Sequence, residues 1–171
     1  SQSTRVEQVI DQFLRFARPP KMAPVPGDLA ELARDVASRM APAAEAQGVA
    51  LDVEVPGRLP HDFDPIQFSQ VIENLVRNAL EAQPDGGTIR LGLTTDTDKT
   101  ILTVTDDGPG VPDELLARVF DLYYTSKPNG NGLGLPMVHQ IVAEHGGETR
   151  IFNEPGHGAA VEITLPKKHG A

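Results

Sequence analysis

Ile101-Leu102-Thr103-Val104-Thr105-Asp106-Asp107-Gly108-Pro109-Gly110 is an apolar-alternating run that ends in two acids and a glycine turn. The alternation predicts a strand over about 99–106. Leu102, Val104 and Asp106 then point to one side of a sheet. Asp106 is thereby an acid at the end of an apolar face, beside two glycines that let another molecule approach the backbone. Such a carboxylate needs a hydrogen-bond donor. The exocyclic amine of adenine is one donor; an Asx-turn that closes the strand is the other reading. Asp107 points the opposite way and reads as a solvated turn residue.

Working outward, Asp64-Pro65-Ile66-Gln67 reads as an N-cap, a first-turn proline and a capping-box glutamine. It opens a helix to about Ala82, with Phe68, Val71, Ile72, Leu75 and Ala79 as the apolar stripe. Asn74 and Asn78 lie four apart on one side of that helix. Their amide oxygens suit magnesium, a hard cation that keeps several waters; a polar helix face carries such pairs too. Downstream, Gly130-Asn131-Gly132-Leu133-Gly134-Leu135-Pro136 runs straight into a helix over about 133–145. Amides at a helix N-terminus bind phosphate, and the glycines suit a lid; a plain flexible loop has the same composition. Lys127 is within reach of a phosphate there, or is a surface lysine.

The remaining chain reads as a helix over about 28–47 between an Asp28/Glu31 capping box and Gly48, and a strand over 49–55. Further strands are predicted over 88–95, 148–153 and 159–165, and a short helix over 112–119. Residues 120–132 read as loop. Lys21–Gly27 reads as a proline-rich hinge. Before it, residues 1–17 form an amphipathic helix stopped by Pro19-Pro20. Strands and helices mix without strict alternation, so the fold class is α+β: a two-layer sandwich, one mixed sheet covered on one face by helices.

Composition excludes several functions. A hydrophobic share of 39% and a charged share of 23% describe a soluble globular chain with no run of membrane-spanning length. The net charge of -9 gives no attraction to nucleic acid, so a polyphosphate would need local amides and a metal ion. The absence of cysteine excludes disulfides and is compatible with a reducing cytoplasm. His61, His139, His145, His157 and His169 show no metal spacing and read as structural or solvated.

Taken together, residues 28–166 resemble the catalytic and ATP-binding domain of bacterial sensor histidine kinases, within the wider gyrase, chaperone and mismatch-repair ATPase group. Glu73–Ala82 is similar to that family's N box and Asp106–Gly110 to its first glycine box. Phe120–Lys127 is similar to the phenylalanine box, Gly130–Leu135 to the second glycine box, and Gly156-His157-Gly158 to the third. The variants resemble nitrogen-regulation kinases. The resemblance implies a Bergerat-type fold with ATP and Mg2+ as cofactors. It implies that Asn78 ligates the magnesium and that Asn74 helps through phosphate or metal-bound water. Asp106 would read adenine, and Gly108 and Gly110 would shape its pocket. Gly132, Leu133, Gly134 and Leu135 would meet phosphates, and Tyr124 and Lys127 would belong to the lid.

Two departures stand out. Where many members carry a lysine three residues past the magnesium asparagine, this chain has Glu81, which leaves Arg77 as a substitute. No histidine stands on the first helix of a dimerising hairpin, where the family keeps its phosphoacceptor. Residues 1–20 resemble the second helix of that hairpin, residues 21–27 a linker, and residues 28–168 the catalytic domain, so the chain is expected to be a truncated kinase. The implied partners are the acceptor hairpin of the same protein, a response-regulator receiver domain and a second copy in a homodimer. The implied location is cytoplasmic, with membrane anchoring of the parent left open. The alternatives are a stand-alone ATPase, an anti-sigma-type serine kinase, or a nucleotide-binding module without turnover.

Overall fold

Asp28 closes the first turn of helix α1 (Leu29–Gln47). Its Oδ1 accepts the N–H groups of Ala30 at 3.0 Å and Glu31 at 3.3 Å, and also that of Leu59 at 2.9 Å. Gly48 ends the helix at φ +77°, a left-handed conformation that glycine adopts without strain. The computed structural model describes residues 6–7, 9–10, 21–116 and 134–167. In the N-terminal stretch these residues are helical, and Val6 and Ile10 are exposed.

The other helices are α2 (Pro65–Glu81), α3 (Asp113–Leu116) and α4 (Gly134–Glu144). The strands are β1 (Val25–Asp28), β2 (Val49–Glu54), β3 (Pro60–Phe63), β4 (Gly87–Thr95), β5 (Lys99–Thr105), β6 (Glu148–Asn153) and β7 (Ala159–Pro166). Five of them form a sheet in the order β2-β4-β5-β7-β6; β2 lies parallel to β4 and the other pairs are antiparallel. Alternate residues of the central strands, among them Leu91, Leu102 and Ile163, are buried on one face. Phe68, Val71 and Leu75 of α2, Val36 of α1 and Val138 and Val142 of α4 cover that face. Each such side chain contributes about 1.5–3 kcal/mol by leaving water. The α+β sandwich expected from the sequence is what forms, and all five predicted stripe residues of α2 are buried.

The segment read as a hinge contains a strand. β1 pairs antiparallel with β3 in a separate two-stranded sheet, with Pro26 opposite Asp62 and Gly27 opposite His61. Proline is tolerated on such an edge because no ladder donor is required of it. A Cβ on Gly27 would stand 2.9 Å from the Phe63 ring, so the glycine admits that buried ring. The predicted helix over 112–119 is seen as α3, and its last residues lie outside the described residues.

Candidate nucleotide site

Helix α2 is fixed at its start. Asp64 Oδ1 accepts the N–H groups of Ile66 at 3.0 Å and Gln67 at 3.1 Å, while Oδ2 accepts that of Ala23 at 2.9 Å. The Asp64 N–H donates to His145 Nε2 at 3.0 Å, and His145 Nδ1 donates to the Ile141 carbonyl at 2.8 Å. The two bonds select the tautomer with hydrogen on Nδ1. The His145 ring also meets Phe68 edge-on, with centroids 5.3 Å apart. The start of α2 is thereby bonded to the end of α4. Burial works to raise the Asp64 pKa, but the donors Ala23, Gln67 and Ile66 outweigh it and hold the carboxyl below the ordinary aspartate value.

At the other end of α2, Asn74 is 6% exposed and its Oδ1 accepts from Arg77 Nη1 at 3.0 Å. Arg77 itself is exposed. One turn on, the Asn78 amide lies 3.7–3.8 Å from where a Cβ of Gly134 would be, so the first residue of α4 rests against it. The two helices thus run antiparallel, with the start of α4 meeting α2 at Asn78.

The turn after β5 closes on the same end of α2. Asp106 is 6% exposed, and its Oδ1 accepts the N–H groups of Gly108 at 2.9 Å and Ala159 at 3.1 Å. The Asp106 backbone extends the β5–β7 ladder: its N–H donates to Ala159 O at 3.0 Å and its carbonyl accepts from Gly158 N–H at 2.7 Å. Space here is filled by backbone. A Cβ on Gly158 would overlap Asp106 Oδ1 and stand 2.6 Å from Gly108 N; one on Gly108 would stand 2.7 Å from the Ala82 carbonyl. Gly110 has φ +79°, and its neighbour Val111 is held by both ends of the Asn153 amide, at 2.8 and 2.7 Å.

Asp107 departs from expectation. Rather than ending in solvent, it accepts from His157 Nδ1 at 2.8 Å and from Arg90 Nη1 at 3.1 Å. The His157 bond, then that of Arg90, outweigh burial and lower its pKa. The Gly156–Gly158 turn is thereby tied to the strand end that carries Asp106. Nothing in the local spacing announces this, because Arg90 and His157 lie 17 and 50 residues from Asp107. Asn153 and Gln83, both bonded to this turn, were missed for the same reason.

Of the residues predicted to form a site, Asn74, Asn78, Asp106, Gly108, Gly110 and Gly134 lie around one end of the sandwich. Leu135 packs on the core there. Tyr124, Lys127, Gly132 and Leu133 lie outside the described residues. Residues 63–169 match the family described as histidine kinase-, DNA gyrase B-, and HSP90-like ATPase, a span that takes in every one of these residues. The chain belongs to that family.

As a member of this ATPase family the chain binds ATP. It is similar to sporulation kinase E of Bacillus subtilis (strain 168), with 31% identity over 100% of this chain and 23% of the relative. It is 33% identical to nitrogen regulation protein NtrY of Azorhizobium caulinodans over 94% of this chain and 22% of the relative. The chain spans less than half the length of these curated relatives. Among solved structures, the nucleotide-free catalytic domain of histidine kinase ThkA superposes with a TM-score of 0.80 at 29% identity, covering 85% of this chain and 97% of that one. Full-length ShkA in complex with AMPPNP superposes with a TM-score of 0.86 at 27% identity, over 99% of this chain and 38% of that one. ThkA in complex with its response regulator TrrA gives 0.84 at 25% identity, over 98% and 48%.

Proposed function

We propose that this chain is the catalytic part of a sensor histidine kinase, which passes the γ-phosphoryl group of Mg-ATP to a histidine outside residues 1–171 and thence to an aspartate of a response regulator. One observation carries the reading. A buried aspartate, oriented through Oδ1 by two backbone amides and walled by glycines, faces the end of a helix that carries an asparagine pair. Asp106 reads the adenine amine, while Gly108 and Gly110 shape the pocket around the base. Gly132, Leu133, Gly134 and Leu135 hold the phosphates, and Tyr124 and Lys127 belong to the lid. ShkA in complex with AMPPNP and ThkA in complex with the response regulator TrrA share this fold, which supports a nucleotide and a response regulator as the two partners here.

The donor set fits a magnesium-bound triphosphate. Neutral amide oxygens complement a hard cation whose other ligands are phosphate oxygens and water, and Asn78 is the ligand we assign. Bound magnesium neutralises charge on the phosphate oxygens. Asn74, one turn before Asn78, is bonded to Arg77 at 3.0 Å, and the two orient phosphate or metal-bound water. Arg77 supplies the positive charge that Glu81 does not. Asn74 cannot take a proton, so no base at this position activates water. The acceptor needs none: an imidazole nitrogen with a reference pKa of about 6.5 is nucleophilic at neutral pH. Its lone pair forms the new bond to γ-phosphorus as the bridging bond to ADP breaks, and ADP carries the electron pair away. Positioning supplies the catalysis.

On this reading residues 28–168 are the catalytic domain, 21–27 the linker and 1–20 the second helix of a dimerising hairpin. The working unit is a cytoplasmic homodimer. Among the described residues no helix is long and apolar enough to cross a membrane.

The test mixes the chain with a separately produced histidine-bearing hairpin and γ-labelled ATP. Label on the histidine is expected; release of free phosphate with no labelled hairpin contradicts the kinase reading and favours an ATPase. Asn78→Ala is expected to remove the magnesium dependence of ATP affinity while the fold persists, as read by calorimetry with and without chelator.

A further inference from the structure

We infer that Gln83 is a positioning residue for base recognition, tying the asparagine helix to the Asp106 carboxylate. The inference rests on the reading of Asp106 given above. Gln83 lies just beyond α2 and is 3% exposed. Its Oε1 accepts the Asp107 N–H at 3.1 Å, and its Nε2 donates to the Ala79 carbonyl at 3.3 Å. Its own carbonyl accepts from Gln47 Nε2 at 2.7 Å, so the residue is fixed at both ends. A Cβ on Gly87 would overlap Oε1, so the absence of a side chain there makes room for the amide.

The bond from Asp107 matters because of the peptide it belongs to. The group that joins Asp106 to Asp107 is held on one side by Gly158 N–H on its carbonyl and on the other by Gln83 Oε1 on its N–H. Both bonds fix the plane from which the Asp106 side chain departs. An apolar residue at position 83 would take this acceptor from the half-buried Asp107 N–H, and the peptide would tilt to find another. Asparagine is one methylene too short to reach while still bonding Ala79. Gln83 also follows Asn78 by five residues, and its neighbour Ala82 packs against Gly108. The same helix end therefore carries the metal-side asparagine and sets the base-side carboxylate.

Calorimetry of this chain with Mg-ADP and with Mg-IDP tests it. IDP carries a carbonyl where adenine has its amine. Wild type is expected to prefer ADP, and Gln83→Met to weaken ADP by about tenfold, the scale of one unmatched buried polar group, with IDP little changed. In an Asp106→Asn background the Met substitution is expected to have no further effect. Gly87→Ala, which displaces Oε1 without altering Gln83, gives the same signature if Gln83→Met does not fold. Equal losses for ADP and IDP, an unchanged preference, or an undiminished effect in Asp106→Asn overturns the inference. If Asp106→Asn itself leaves the preference intact, the base-reading role of Asp106 fails first. If Asp106→Asn abolishes the preference and Gln83→Met does not alter it, only the role of Gln83 fails.

Discussion

Asp64 and Asp106 are both buried, and each holds two backbone N–H groups on Oδ1, yet they sit in opposite surroundings. The Asp64 carboxylate takes a third backbone N–H, and its own main chain is braced by side chains. Its Oδ2 takes Ala23, its own N–H goes to His145, and Phe68 packs on that histidine. Asp106 is enclosed by backbone, with Gly108 and Gly158 too close for any Cβ. The first arrangement locks α2 to α4. The second sets the carboxylate against glycine main chain at the strand end, where the proposed base-reading role places it. On the proposed reading the two ends of one helix divide the work, one stabilising and one binding.

Substitutions that act on one end and spare the other sharpen this division. Gly158→Ala is expected to have the largest effect. Its methyl would displace the Asp106 carboxylate and the Gly108 backbone, for a loss of about 2 kcal/mol or more in nucleotide binding; near-normal affinity in calorimetry would break the contrast. Asp64→Ala is expected to cost about 1–2 kcal/mol of stability through the lost cap. Its melting temperature falls, while ATP affinity per folded molecule stays at the wild-type value. His145→Ala follows the same pattern, at about 1–3 kcal/mol for an orphaned buried N–H, read in the same melting experiment.

Acid acts on both ends and more weakly. The Asp64 and Asp107 carboxyls are held below the ordinary aspartate value of about 3.9. Between the folded and unfolded pKa values the unfolded chain binds more protons. Their contribution is therefore complete above the unfolded value and is lost as pH falls through the lower folded values. Denaturant midpoints measured from about pH 5 downward are expected to fall, and to fall less steeply in Asp107→Asn.

The same contrast explains what could be read from the sequence. Both helix caps were legible because their bonds span two or three residues: Asp28 to Ala30 and Glu31, and Asp64 to Ile66 and Gln67. The Asp106 strand face was legible from alternation, and Gly108 from its place in the turn. What escaped is held by distant partners. His145 reaches Asp64 across 81 residues, Asn153 reaches Val111 across 42, and Gln83 reaches Asp107 across 24. The β1–β3 pair escaped because Pro24 and Pro26 mark a hinge in any local reading, and only Phe63 under Gly27 reveals the strand.

Backbone amide shifts followed during titration with Mg-ATP test the central claim most directly. Binding at one end of the sandwich predicts that Asn78, Asp107, Gly108, Gly134 and Gly158 move together while Asp64 and His145 stay in place. Shifts centred on Asp64 and His145, or none at saturating nucleotide, would contradict it.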